Sequence, residues 1–139
     1  MRYDEFLTQY QQAHHDWNFG RMNAAEVTDL IAALRAELPT LEPADMRRDA
    51  EDILRLFAAE ISPEAQERMA RAVSALSAAG ADDGTIAERI ARAEAGIAAI
   101  TAIADESPHR SERHAILSLN ESLFTLIEAL RLDQSAGER

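Results

Sequence analysis

Apolar residues recur every three or four positions along most of the chain, which is the spacing of amphipathic helices. No stretch alternates apolar and polar residues in the manner of a β-strand. The periodic segments are separated by helix start and stop signals, and together they predict six helices. Their approximate bounds are residues 4–17, 23–38, 43–61, 63–79, 85–104 and 108–132.

Four of these helices begin at recognisable start signals. Two carry a capping box, in which a polar N-cap and a glutamate three residues later bond to each other's backbone N–H. Two others follow a Ser–Pro pair, with serine as the cap and proline in the first turn. The capping boxes are Asn23 with Glu26 and Thr85 with Glu88, and the Ser–Pro pairs lie at 62–63 and 107–108.

The sixth predicted helix has the broadest apolar face. Its apolar residues cover about half of the circumference, wider than the ~100° stripe of an ordinary surface helix. The helix is therefore expected to touch several neighbours, either in its own chain or in a second subunit. Asn120 interrupts this face and is expected to fix the helix register. The apolar residues are Ile116, Leu117, Leu119, Leu123, Phe124, Leu126, Ile127 and Leu130.

These patterns predict an all-α fold, a bundle of about six helices arranged as successive helical hairpins. A chain of 139 residues fits one domain, placed at residues 1–133, and the polar residues 134–139 are expected to fray. The two Ser–Pro pairs lie 45 residues apart, a period that suits paired-helix repeats. A short α-solenoid therefore stays open as an alternative arrangement.

The charge of the chain bears on its partners. There are 25 acidic and 14 basic residues, a formal net charge of −11, and no segment forms a basic arm. Nucleic acids and anionic membrane surfaces need clustered cations, so direct binding to either is not expected. The negative charge fits either a partner protein, in particular a basic one, or a charge that only keeps the chain soluble, and the second interpretation is the commoner one. Several glutamates precede an arginine by four residues, as Glu64 precedes Arg68, which predicts exposed ion pairs.

Composition also excludes several kinds of chemistry. All basic residues are arginine, so lysine-based Schiff-base and phosphate-binding mechanisms are excluded. The absence of cysteine excludes thiol nucleophiles, disulfides and thiolate metal sites. No cofactor motif is present. The charged start over residues 1–5 is unlike a signal peptide, and no apolar run approaches ~20 residues, so we expect a cytoplasmic protein with no membrane span.

The histidines do not predict a metal site. His14 and His15 point ~100° apart on a helix and cannot easily meet one ion. His14 falls among apolar and aromatic positions and is interpreted mainly as a packing residue. Glu60, at the edge of the apolar face of the third helix, is interpreted as marking the solvent boundary. No catalytic residue is assigned.

Aromatic residues provide the best remaining candidates for binding. Five of the seven lie in the first nineteen residues, where they form either part of the core or a contact surface. The candidate partner- or ligand-binding residues are Tyr10, His14, Trp17, Phe19 and Asn120.

Three functions remain open from the sequence. The first is a non-enzymatic protein-interaction module, such as an adaptor, an inhibitor or an immunity-type factor. The second is a small-molecule or catalytic pocket near Tyr10, His14 and Trp17, with His14 as acid or base. The third is a structural subunit that assembles, for example as a homodimer, through the sixth helix.

Overall fold

The structure is a computed structural model that describes residues 1–137, and over these residues the chain is all-α, as predicted. Contacts within the chain divide it into two compact units. Unit 1 comprises Met1–Pro63, and unit 2 begins at Glu64. The expectation of one domain over residues 1–133 stays a prediction.

Seven α-helices lie within the described residues. Two short 3₁₀ turns, Leu38–Thr40 and Ala44–Met46, connect the second and third helices. The α-helices are α1 (Tyr3–Asn18), α2 (Ala24–Glu37), α3 (Arg47–Glu60), α4 (Pro63–Ala79), α5 (Ile86–Asp105), α6 (Arg110–Ser118) and α7 (Asn120–Gly137).

Both predicted capping boxes are confirmed. The Asn23 side chain accepts a 2.8 Å hydrogen bond from the backbone N–H of Glu26, and Thr85 accepts one of 3.1 Å from Glu88. Each glutamate side chain in turn accepts a hydrogen bond from the backbone N–H of its cap residue. Pro63 occupies the first position of α4, where its missing N–H costs nothing.

The last predicted helix differs from the expectation in two ways. It begins at Arg110 rather than at Pro108, and the Ser107 hydroxyl, which accepts a 3.2 Å hydrogen bond from the His109 N–H, also donates to the Glu112 carboxylate. It is also interrupted at Leu119, whose N–H donates to the carbonyl oxygen of Ile116 at 3.1 Å, a three-residue step. This tighter turn separates α6 from α7.

The core of unit 1 forms where α1, α2 and α3 pack against one another. Two aromatic rings, Phe6 and Phe57, are almost fully buried there. The chain ahead of α1 is tied to the α2–α3 connection, because the Tyr3 N–H donates to the Glu42 carbonyl oxygen at 2.8 Å. The buried residues are Phe6, Ala13, Val27, Ile31, Leu34, Leu38, Leu41, Ala50, Leu54, Phe57 and Ile61.

The core of unit 2 is built from aliphatic residues of α4, α5, α6 and α7. Helices α4 and α5 approach closely where Ala79 faces Gly96, and a Cβ added at Gly96 would overlap the Cβ of Ala79. The small residues therefore set this helix spacing. The buried residues of the cluster are Ala72, Ala79, Ala93, Ile100, Ile103, Ala104, Ile116, Leu123 and Ile127.

The predicted frayed tail, residues 134–139, is only partly described. Residues 134–137 continue α7 and are exposed. Glu138 and Arg139 lie outside the described residues.

Candidate functional site

The N-terminal aromatic residues fall into two groups. Tyr10 and Trp17 are partly buried and pack against the core of unit 1. The Tyr10 ring meets the Phe57 ring edge to face, with centroids 5.4 Å apart. Phe19, just after α1, is 68% exposed. Tyr10 and Trp17 thus each place part of their ring against the core of unit 1, whereas the exposed ring of Phe19 could contact a partner.

His14 lies in a polar and aromatic cluster between α1 and α3. Its Nε2 donates to Glu60 Oε2 at 3.0 Å, and Asn18 Nδ2 approaches its Nδ1 at 3.4 Å. Because a carboxylate only accepts hydrogen bonds, Nε2 is the donor in this contact. The ring also packs against Tyr10 and Phe57. Both nitrogens of His14 therefore have partners within unit 1.

Glu60 does more than mark the solvent boundary, because its carboxylate joins α3 to α1. Burial, together with the negative charge of Glu60, raises the pKa of the Tyr10 hydroxyl. Tyr10 therefore stays a neutral phenol beside the His14–Glu60 pair. The sequence separation of 46 residues hides this pair from any local pattern.

Unit 1 contains two described surface hollows, and neither is lined by Tyr10, His14 or Trp17. One, of about 350 Å³, is lined by residues of α2 and the end of α3, including Thr28, Arg35 and Ile61. The other, of about 420 Å³, lies between the polar side of α1 and residues Met22 and Leu30. The hypothesis of a pocket near Tyr10, His14 and Trp17 therefore stays a prediction.

Asn120 is buried in unit 2, with only 4% of its surface exposed. Its Nδ2 donates to Thr101 Oγ1 of α5 at 3.3 Å, while its Oδ1 has no hydrogen-bond partner. A partner molecule cannot reach this side chain without local opening. The contact ties α7 to α5, which fits a role in positioning the two helices.

A buried ion pair in unit 2 is absent from the sequence predictions. Arg68 binds Glu112 through two hydrogen bonds of 2.6 and 2.9 Å, instead of pairing with Glu64 on its own helix. Ser107 donates to the same carboxylate. Hydrogen bonds from Arg68, and secondarily from Ser107, hold the pKa of Glu112 below its ordinary value, against the opposing effect of burial. This network joins α4 to α6.

The surface of α6 and α7 carries two large apolar side chains from the broad apolar face that the sequence predicts. Leu117 is 40% exposed and Phe124 is 56% exposed. Neighbours within the chain therefore leave these two residues of the broad face exposed, and the expectation that a second subunit covers part of that face stays a prediction. Burial in α7 instead follows a narrow stripe with steps of three and four, formed by Asn120, Leu123, Ile127 and Leu130.

Leu117 and Phe124 belong to a continuous exposed strip. Leu119, which separates the two helices, keeps helical backbone angles (φ −63°, ψ −25°), so residues seven positions apart across it still differ by only a few tens of degrees in direction and lie on the same side. Glu121 and Glu128 lie at the intervening and following positions, four residues after each apolar residue, and both are exposed. We call these four residues, Leu117, Glu121, Phe124 and Glu128, the α6–α7 ridge.

The two glutamates of the ridge are available for a partner. Among the described residues, neither takes part in an ion pair. The nearby cation Arg131 is already engaged, because its guanidinium lies 3.0 Å from Glu94 of α5. The ridge thus combines exposed apolar area with uncompensated negative charge.

Other classes of site receive no support from these residues. Among residues 1–137, no three histidine, aspartate or glutamate side chains converge in a way that could hold a metal ion. No described helix has both the length and the apolar character needed to cross a membrane. No protein-family model, curated protein or solved structure matches this chain.

Proposed function

We propose that this protein is a non-enzymatic interaction module that binds a partner protein through the α6–α7 ridge. One observation carries the proposal. Phe124 is the sole aromatic residue between positions 64 and 139, and it lies 56% exposed rather than in the core of unit 2.

The position of Phe124 supports binding on energetic grounds. An aromatic side chain gains most when its ring leaves water, and aromatic residues dominate the binding energy of protein interfaces. In unit 2 the core is filled by alanine, isoleucine and leucine, and the ring makes no contribution there. The buried residues of α7 fix this helix against the core of unit 2, so the exposed Phe124 ring is a rigid apolar anchor for a partner.

The two alternatives have less support. A catalytic role for His14 would require a hollow beside its ring for a substrate, and the two described hollows of unit 1 are lined by other residues. Self-assembly through the ridge would bring Glu121 and Glu128 of two copies close together, which is unfavourable. Homodimerisation and a cytoplasmic location stay predictions.

The experiment compares variants of the full chain as baits in extracts of the native host. The ridge variant is Leu117→Ser with Phe124→Ser. Leu56→Ser is the matched control, because Leu56 lies in unit 1 and is 51% exposed. Phe19→Ser tests the N-terminal aromatic surface. Circular dichroism melting curves establish that each bait is folded.

The proposal expects a protein that is captured by the wild-type chain and by the Leu56 and Phe19 variants but not by the ridge variant. When that protein is purified, its binding in solution must also be lost in the ridge variant and retained in the Leu56 and Phe19 variants. A capture that depends on Phe19 and is indifferent to the ridge variant would move the binding surface to the N-terminal segment and overturn the proposal.

A further inference from the structure

We propose that the segment bound by the α6–α7 ridge is a basic amphipathic helix. This inference rests on the proposed function and adds the chemistry of the partner. It follows from the spacing of the apolar residues, from the charges between them and from the charge of unit 2 as a whole.

The spacing of the ridge fits a helix lying alongside it. From Leu117 to Glu128 the ridge is about 16 Å long, at 1.5 Å per residue. Its apolar side chains repeat every seven residues, which matches the repeat of apolar residues along one face of a second helix. Such a helix can place its own apolar side chains beside Leu117 and Phe124. Leu132, also exposed, extends the apolar surface by one further turn.

The negative charges of the ridge favour a partner segment with positive charge. At about 100° per residue Glu121 and Glu128 lie about 60° and 40° from Phe124, both on the same side of the ring, so cations along one flank of the partner's apolar stripe would meet a carboxylate. Two arginines near these glutamates in the sequence already have partners: Arg131 pairs with Glu94, and Arg113 donates to the Ser107 carbonyl oxygen at 2.9 Å. Arg110 lies one to two turns before Leu117 and would repel a cation placed near that end of the ridge. We therefore expect the cations of the partner helix to lie opposite the C-terminal part of the ridge.

The charge of unit 2 acts in the same direction. Residues 64–139 contain 13 acidic residues against eight arginines. This excess attracts a cationic segment from a distance and speeds its association at low ionic strength. The same excess repels a second copy of the chain, and therefore the ridge is better matched to a basic helix than to itself.

The test uses a designed peptide of about three heptads, with leucines on one face and lysines on its flanks. Two control peptides share its length. In one, glutamate replaces lysine; in the other, the same residues are shuffled so that the apolar face is lost. Binding to the full chain is measured by isothermal titration calorimetry, and peptide helicity by circular dichroism.

Three variants of the protein separate the apolar and electrostatic parts. Phe124→Ala should weaken binding about tenfold, because it removes the central aromatic anchor. Glu121→Gln with Glu128→Gln should weaken binding about fivefold at low salt and should flatten its dependence on ionic strength. Leu56→Ala, the control in unit 1, should bind like the wild type.

Equal binding of the shuffled or the acidic peptide, or indifference to Phe124→Ala, would overturn the proposed partner. Sedimentation that shows a wild-type dimer dissociated by Phe124→Ala would also overturn it, since the occupant would then be a second copy. If the designed peptide fails while the host protein still requires Leu117 and Phe124, the partner chemistry is wrong and the proposed function stands. If neither binding depends on the ridge, both proposals fail.

Discussion

The two units bury different kinds of residue. Unit 1 contains six of the seven aromatic residues and places Phe6 and Phe57 at the centre of its core. Unit 2 builds its core from small and branched aliphatic residues. It also contains all three of the polar residues that are described as buried, which are Ser107, Glu112 and Asn120.

This difference shows two ways of fixing helix positions. In unit 1 large rings fill the space between helices, and the polar contact of His14 with Glu60 lies at the edge of the core. In unit 2 helices approach closely through Ala79 and Gly96, and buried polar contacts join specific helix pairs. Helices that approach as closely as α4 and α5 do at Ala79 and Gly96 leave little space for an aromatic ring between them, and Phe124 lies exposed instead.

The largest expected effect is the loss of the buried carboxylate of unit 2. Glu112→Ala leaves the Arg68 guanidinium, only 15% exposed, without its partner, and should lower the free energy of unfolding by about 3 kcal/mol. Urea unfolding followed by circular dichroism measures the change. Glu106→Ala, which breaks the exposed pair with Arg71, is the control and should have a much smaller effect.

Hydrogen exchange locates the loss caused by Glu112→Ala. Faster exchange of amides in residues 64–137 is expected. Unchanged protection there would contradict the structural role given to the Arg68–Glu112 pair.

The close approach of α4 and α5 predicts the next largest effect. Gly96→Ala raises helix propensity by roughly 0.5–1 kcal/mol, yet its Cβ collides with that of Ala79. The net result should be a destabilisation of about 2 kcal/mol, because neither backbone can yield easily. Gly80→Ala is the control, since its Cβ would meet only atoms at ordinary contact distance. Equal stability of the two variants in thermal unfolding would contradict this helix spacing.

Acid should weaken unit 2 through the same carboxylate. The pKa of Glu112 in the folded chain lies below its ordinary value of 4.5, so the unfolded chain binds its proton first as pH falls. Its contribution is therefore fully present above pH 4.5 and is lost as the pH falls through the folded pKa. Urea unfolding at pH 7 and at about pH 3.5 should show a smaller acid effect in Glu112→Gln than in the wild type. Identical pH dependence would exclude this contribution.

The smallest expected effect is in unit 1. His14→Ala removes ring packing and a partly exposed contact with Glu60, and should cost about 1 kcal/mol. Glu60→Gln keeps the packing and should cost about 0.5 kcal/mol. Trp17 fluorescence during urea unfolding reports on unit 1, and exposed His15→Ala is the control. A loss for Glu60→Gln that exceeds the loss for His14→Ala would make the charge, not the packing, dominant.

Local features of the fold were predictable from the sequence. The capping boxes at Asn23 and Thr85 and the start of α4 at Pro63 depend on residues within one helical turn, and the structure confirms them. The break at Leu119 was not predicted, because the apolar periodicity runs through it, although Ser118 and Asn120 on either side are residues of low helix propensity.

The contacts of the polar residues were the part that sequence reasoning missed. Glu60 forms a hydrogen bond with His14, which is 46 residues away in the sequence. Arg68 binds Glu112, which is 44 residues away, rather than Glu64 on its own helix. Helical periodicity gives the direction of a side chain but not the neighbour that meets it. For the same reason the pattern put Leu117 and Phe124 on a broad apolar face without showing that these two residues lie exposed in the chain.

The most direct test of the interaction surface is a hydrogen-exchange footprint of the full chain with and without the designed basic helix. The ridge predicts slower exchange in residues 117–128, with residues 10–19 unchanged. Protection confined to residues 10–19, or none in residues 117–128 at saturating peptide, would contradict the assignment of the α6–α7 ridge as the binding surface.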